Sequence, residues 1–236
     1  LAFLFAFSPG LVALSRQASG TILAVTFLLF AWGMWINRRA IAAGVFLGLA
    51  LLSGPSLWAG LVPLGLVWLF YRTEQKHDSD QSPREGPSRE EVRPALIALI
   101  TTILFGGTLF FLSPNGLSAW LSSLPEYLQG WVSAPPPMMT PGRMLLALLA
   151  YEPLGIFIAS LAIIRGVRTK SDPLNQLSLW LGLSLLLAIF YRQAAELVWV
   201  IIPLLTLAAL ELSRSMNIHP EERLEVGIVV MAVFIL

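Results

Sequence analysis

The 236 residues carry 15 basic and 14 acidic side chains, for a net charge of +1, and 56% of the positions are hydrophobic against 12% charged. With a mean hydropathy of +0.76, this composition excludes an ordinary soluble domain, and the near-neutral charge predicts no nucleic-acid partner. The absence of cysteine excludes disulfides and thiolate metal sites. Because the apolar runs are unbroken and do not alternate, they predict helices and not barrel strands. We therefore expect an all-α, polytopic integral membrane helix bundle whose main solvent is the lipid bilayer.

Apolar stretches bounded by charge predict about nine membrane spans along the chain. They cover residues 1–14, 19–36, 40–53, 56–71, 94–112, 143–164, 176–190, 197–212 and 224–236. The first and the last are truncated by the chain ends and there is no initiator Met, so we expect residues 1–236 to be a fragment of a single transmembrane domain. Segment 40–71 has two interpretations, two short crossings or a re-entrant hairpin, because Ser53-Gly54-Pro55 interrupts it.

The distribution of basic residues predicts the orientation. If successive connections alternate between two sides, all but three of the 15 basic residues fall on the same side, which the positive-inside rule assigns to the cytoplasm. Segments 72–93 and 165–175 lie on that side, and 72–93 mixes charges with Pro and Ser, as is typical of a flexible loop. The three exoplasmic basic residues are Arg16, Arg143 and Arg192. Compact loops and the lack of an Asn-x-Ser/Thr sequon favour a bacterial plasma membrane.

Segment 113–142 is the longest predicted exoplasmic connection. Within it large apolar residues recur at spacings of three and four, which predicts an amphipathic helix on the outer membrane surface. These residues are Leu117, Trp120, Leu121, Leu124, Leu128 and Trp131.

Two polar clusters mark predicted exoplasmic ends of spans. One consists of Arg16 and Gln17, and the other of Arg192, Gln193 and Glu196. A planar guanidinium suits bidentate recognition of phosphate or carboxylate, so both clusters are candidate substrate-binding residues around one exoplasmic cavity. The alternative is that these arginines only extend their charged ends to the membrane interface.

Glu152 lies nine residues after Arg143 within a predicted span, a distance of about 13 Å along a helix. A carboxylate at that depth is costly, so it marks either a functional site or an ion pair with one of the outer arginines. The adjacent Pro153 predicts a bend in the helix and free backbone carbonyls, as in many cavity walls of membrane proteins. Metal binding is not predicted elsewhere, because His77 and His219 fall in predicted cytoplasmic loops without a set of nearby ligands.

Several short motifs give the chain a resemblance to a known family. They are Ser8-Pro9, Ser15-Arg16-Gln17-Ala18, Ala43-Gly44-Val45-Phe46-Leu47-Gly48-Leu49-Ala50, Leu148-Leu149-Ala150-Tyr151-Glu152-Pro153-Leu154 and Pro203-Leu204-Leu205. Their order, with an exoplasmic interfacial helix before the fourth, resembles polyprenyl-phosphate-sugar-dependent glycosyltransferases of the GT-C type. The branch concerned includes the dolichyl-phosphate-mannose protein mannosyltransferases.

The resemblance implies transfer of a sugar from a polyprenyl-phosphate donor to an exoplasmic acceptor, which is a glycan, a lipid or a protein. In such families an aspartate in the first exoplasmic loop acts as the base or helps to hold a divalent metal. Asp78, Asp80 and Asp172 are all on the predicted cytoplasmic side, so we expect the catalytic Asp and any divalent metal to belong to a segment upstream of Leu1. Arg16 and Arg192 are then the candidates for stabilising the negative charge on the departing phosphate.

Two other classes of function remain open at this point. A membrane transporter or lipid flippase would use the helix break at Gly54-Pro55 and the carboxylate of Glu152 as binding elements. A non-catalytic membrane subunit would need no complete catalytic set.

Overall fold

A computed structural model describes residues 2–16, 20–75, 89–108, 110–112, 115–132 and 139–215. Within these ranges the chain forms helices and no strand, so the all-α prediction is confirmed. The helices are α1 (Ala2–Phe7), α2 (Pro9–Ser15), α3 (Gly20–Ile36), α4 (Ala40–Leu52), α5 (Ser56–Gln75), α6 (Arg89–Gly107), α7 (Asn115–Val132), α8 (Pro141–Tyr151), α9 (Pro153–Thr169), α10 (Asp172–Tyr191) and α11 (Leu197–Ser215), with a 3₁₀ turn at Ala194–Glu196 before α11.

Among the described residues, two helical segments are long and apolar enough to cross a membrane, Asp172–Tyr191 and Ala194–Arg214. The number rises to four if each of two sharply bent helix pairs, α2 with α3 and α8 with α9, counts as one span. Ala40–Leu52, Ser56–Arg72 and Val92–Gly107 are apolar but shorter. An integral membrane location is therefore compatible with the helices, whereas the count of nine spans stays a prediction. Residues 224–236 lie outside the described ranges.

Helix α11 is the centre of the bundle. Its residues from Leu197 to Leu205 are buried without interruption. Of the most apolar stretch within Ala194–Arg214, 72% is buried inside the protein, against 28% of the corresponding stretch of α10. A helix that is apolar on all sides is stable only where neighbours surround it. Helices α2, α3, α9 and α10 pack against it. The N-terminal half of α11 therefore forms the interior of the protein, and Glu211 near its other end is also buried.

Helices α4 and α6 approach each other closely through Gly44 and Gly48. A Cβ atom added at Gly44 would lie 2.1 Å from the Ala95 carbonyl oxygen, and one at Gly48 would lie 2.8 Å from Cβ of Thr102. Small residues four positions apart let two helix backbones come together in this way. Segment 43–50, which the resemblance singled out, therefore has a packing role between α4 and α6.

The predicted connections are shorter than the sequence suggested. Helix α5 continues to Gln75 and α6 begins at Arg89, so helical turns occupy both ends of segment 72–93, and residues 76–88 lie outside the described ranges. Between α9 and α10, Lys170 has a left-handed backbone with φ of 48°. Arg165 near the end of α9 forms an ion pair of 2.6 Å with Glu211 of α11.

Helix α7 matches the predicted amphipathic helix within segment 113–142. Its side toward the protein carries Ser123, Tyr127 and Gly130, all buried. The apolar residues Leu121, Leu128 and Val132 are between 57% and 91% exposed. Of the six residues predicted to form the apolar face, Leu117 and Trp120 are half-buried and the other four are exposed. Most of that face therefore points away from the described protein, as in a helix at a lipid surface.

Candidate functional site

Glu152 lies at a sharp break between α8 and α9, whose axes meet at 94°. Its own backbone is non-helical, with φ of −128° and ψ of 45°, and Pro153 begins the next helix. Proline has no N–H and its ring excludes a straight continuation of the preceding helix. The predicted bend is confirmed, and it places the carboxylate at the junction of two helices.

The Glu152 carboxylate is bound by the first turn of α2. The Ser8 hydroxyl donates a hydrogen bond to Oε1 of Glu152, and the Gly10 N–H donates to the same oxygen at 3.2 Å. Ser8 also caps α2, because its Oγ accepts from the Leu11 N–H at 3.1 Å. Ser8 is 3% exposed and Glu152 is 5% exposed. A helix N-terminus with a capping hydroxyl is a favourable neighbour for a buried carboxylate.

The packing around this carboxylate leaves little free space at two glycines. A Cβ at Gly10 would lie 2.9 Å from both Oε1 of Glu152 and Cδ1 of Ile201. At Gly155 it would lie 3.5 Å from the other carboxylate oxygen and 3.3 Å from Leu205. The first turn of α2 therefore packs closely against one oxygen of the carboxylate, whose orientation depends on glycine at position 10.

A cavity of about 150 Å³ lies beside Glu152. Helix α2 lines it with Ala13 and Leu14, α8 with Leu148 and Tyr151, and α11 with Leu197 and Ile201. Glu152 is the one charged side chain among the described lining residues. The cavity combines mostly apolar walls with one charged acceptor of hydrogen bonds, a pattern typical of sites for small molecules or for part of a larger ligand.

Arg16 and Arg192 lie close in the sequence to residues that line this cavity. Each is exposed, and each lies two positions from a lining residue, Leu14 or Ala194. Arg192 has a left-handed backbone with φ of 60°, and its carbonyl accepts from the N–H of another lining residue, Met139, at 3.0 Å. Both arginines are therefore close to the cavity by sequence position.

Some of the other candidates lie elsewhere. Gln17 is outside the described ranges. Arg143 is exposed in the first turn of α8. No arginine in the described part of the chain forms an ion pair with Glu152, whose hydrogen-bond donors are Ser8 and the Gly10 backbone. The predicted alternative of a structural pair with an outer arginine is replaced by pairing with a helix cap.

Glu196 is not among the residues that line the Glu152 cavity, although we expected its cluster with Arg192 and Gln193 to line one cavity together with Arg16 and Gln17. It lines a second cavity, only about 10 Å³ in volume, together with Tyr127, Ser184 and Trp199. Oε2 of Glu196 and Oγ of Ser184 have no hydrogen-bond partner among the described residues. Burial raises the pKa of Tyr127, so its hydroxyl remains protonated at neutral pH. A space of this size holds about one water molecule.

The described side chains also bear on metal binding and on what the sequence could reveal of the site. Within the described ranges, no three His, Asp or Glu side chains come together as ligands for a metal. His77 and His219 fall outside those ranges. Sequence reasoning missed the part played by Ser8, although the pattern of serine followed by Pro9 is a standard signal for a helix start.

Comparison of the chain with protein-family models, with curated proteins and with solved structures found no match. The resemblance to the GT-C glycosyltransferases therefore stays a prediction from the motifs.

Proposed function

We propose that this chain is part of a polytopic membrane glycosyltransferase, with about nine spans, that moves a sugar from a polyprenyl-phosphate carrier to an exoplasmic acceptor. The proposed location is a bacterial plasma membrane, with segments 72–93 and 165–175 in the cytoplasm. One observation carries the proposal. Ser8-Pro9 and Tyr151-Glu152-Pro153, two motifs on which the resemblance depends, are in direct contact at a buried carboxylate beside a cavity.

In this proposal Glu152 binds the acceptor. One of its oxygens is engaged by Ser8 and Gly10, which fixes the carboxylate and leaves the second oxygen available to accept a hydrogen bond from an acceptor hydroxyl. Fixing a polar group before the substrate arrives removes the cost of ordering it during the reaction. Arg16 and Arg192 stabilise the negative charge that develops on the phosphate as the glycosidic bond breaks.

The described cavity presents one carboxylate and no histidine, which does not fit a site for a divalent metal. No step through a metal is therefore assigned to these residues. In glycosyltransferases of this type the base is an aspartate of the first exoplasmic loop, and the residues lining the cavity beside Glu152 include no aspartate.

The test is transfer of a labelled sugar from polyprenyl-phosphate-sugar donors by the full-length protein in membranes. Arg16→Ala and Arg192→Ala should each lower the transfer rate by roughly 100-fold, the usual effect of removing one group that stabilises developing charge. Arg168→Ala is a matched control, because Arg168 is an exposed arginine near the end of α9, away from the cavity. Full activity of both Arg16→Ala and Arg192→Ala would remove the proposed role of the arginines.

A transporter or flippase is the second candidate, because α8 and α9 form a helix pair bent by 94°. In many transporters the binding site lies where broken helices meet, and Glu152 occupies such a break. Reconstituted vesicles distinguish the two functions. Movement of a polyprenyl-phosphate-sugar across the bilayer without sugar transfer would favour the flippase.

A further inference from the structure

An open groove of about 380 Å³ runs between α3, α4 and α6, on a different part of the protein from the Glu152 cavity. Its walls are apolar and include Leu28 and Trp32 of α3, Leu47 of α4, and Leu96 and Leu99 of α6. Trp32 is 68% exposed and Leu96 is 51% exposed. The walls therefore present large apolar surfaces that the described protein leaves uncovered.

The groove exists because its floor consists of small residues. Ala31, Ala43, Gly44 and Ala95 all line it, and the close approach of α6 to α4 at Gly44 leaves α3 and α6 as separate walls. Side chains larger than alanine at these positions would fill the space. The groove therefore runs along the helices and has a shape suited to a hydrocarbon chain.

One end of the groove has a net positive charge, because the sequence places four basic residues there, Arg38, Arg39, Arg89 and Arg93, against two acidic ones, Glu90 and Glu91. Helix α3 ends at Ile36 and α4 begins at Ala40, so the turn between them lies at the end marked by Trp35, where Val92 of α6 also lines the groove. Arg39 lies in this turn, four residues before the lining residue Ala43, and Arg93 is adjacent to the lining residue Val92. Both arginines are exposed.

We propose that the groove binds one anionic phospholipid, with an acyl chain along the apolar walls and the headgroup phosphate at Arg39 and Arg93. Guanidinium groups bind phosphate oxygens in a bidentate manner, and tryptophans such as Trp32 and Trp35 favour the interface between headgroups and acyl chains. The predicted orientation puts this end in the cytoplasmic leaflet, where anionic lipids attract basic residues. This inference does not depend on the proposed function, because it concerns a separate surface.

The experiment is native mass spectrometry of the full-length protein in detergent, titrated with phosphatidylglycerol or with phosphatidylcholine of the same acyl chains. We expect one tightly bound phosphatidylglycerol, and binding about 30-fold weaker for Arg39→Gln/Arg93→Gln, from roughly 1 kcal/mol for each cation at a membrane surface. Arg168→Gln is the control for loss of an exposed charge and should bind as the wild type does.

A second variant tests the groove itself. Leu96→Trp narrows the channel and should weaken binding of phosphatidylglycerol at least tenfold, whereas Leu146→Trp, at a position 67% exposed on α8, should not change it. Equal binding of the two lipids would overturn the proposal. Unchanged binding of phosphatidylglycerol in both Arg39→Gln/Arg93→Gln and Leu96→Trp would also overturn it. So would a dimer without bound lipid, since a second copy of the chain would then be the occupant.

Discussion

Replacing Ser8 with alanine removes one hydroxyl that makes two contacts in the protein interior. The hydroxyl accepts from the Leu11 N–H as the cap of α2 and donates to the buried carboxylate of Glu152. Loss of a helix cap costs about 1 kcal/mol, and loss of a hydrogen bond to a buried charged group costs about 1.5–3 kcal/mol. We therefore expect Ser8→Ala to lower the free energy of unfolding by roughly 2–4 kcal/mol.

Reversible unfolding of the purified full-length protein in mixed detergent micelles measures this change. A double-mutant cycle with Glu152→Gln separates the two contacts, because only the bond to the carboxylate involves both residues. Ser213→Ala is the matched control. Its exposed hydroxyl donates only to the Leu210 carbonyl of its own helix at 3.0 Å, so its effect should stay within about 0.5 kcal/mol. A Ser8→Ala protein as stable as this control would refute the reasoning.

Three further substitutions test the packing and the buried charges by the same unfolding measurement. Gly10→Ala should destabilise by about 1–3 kcal/mol, because the new Cβ would lie 2.9 Å from a carboxylate oxygen, whereas Gly142→Ala, whose Cβ meets nothing within 4 Å, should be neutral or stabilising; equal effects would contradict the packing argument. Arg165→Met should cost about 1–3 kcal/mol, because it leaves the buried carboxylate of Glu211 unpaired, with the lower values reflecting an arginine that is 31% exposed. The double variant Arg165→Met/Glu211→Leu should recover most of that loss, and failure to recover would mean that packing, not charge, is responsible. Glu196→Gln should leave stability unchanged or raise it by about 1 kcal/mol, because one carboxylate oxygen has no partner among the described residues; a loss above about 2 kcal/mol would indicate an ion or water bound there.

The parts of the structure that local rules determine could be predicted from the sequence. Helices follow from unbroken apolar runs in a chain that must satisfy its backbone hydrogen bonds internally. The bend at Glu152 follows from Pro153, whose effect depends only on its immediate neighbours. The amphipathic helix α7 follows from spacings of three and four residues.

The candidate site could be predicted only in part, because its contacts join distant parts of the chain. Ser8 and Glu152 are 144 positions apart, and no local pattern shows which helix caps a buried carboxylate. Glu196 was grouped with Arg192 by proximity in sequence. The 3₁₀ turn before α11 instead points the Glu196 side chain toward Ser184 and Trp199. No local sequence pattern shows the direction in which such a turn points a side chain.

The number of membrane crossings could not be settled from hydropathy for a related reason. Helix α11 and helix α10 are both apolar enough to span a bilayer, but most residues of α11 are buried in protein and most residues of α10 are only half-buried. Hydropathy reports the preference to leave water, and a protein interior satisfies that preference as well as lipid does.

The role proposed for Glu152 can be measured by steady-state sugar transfer, comparing the full-length protein with its Glu152→Gln variant. The variant should fold, its acceptor KM should rise or its kcat fall by at least tenfold, and its KM for the polyprenyl-phosphate-sugar donor should stay the same. Arg168→Gln should leave all three quantities unchanged. A folded Glu152→Gln protein with wild-type kinetics would contradict the role proposed for Glu152. A full-length protein that transfers sugar from no polyprenyl-phosphate donor would contradict the proposed function.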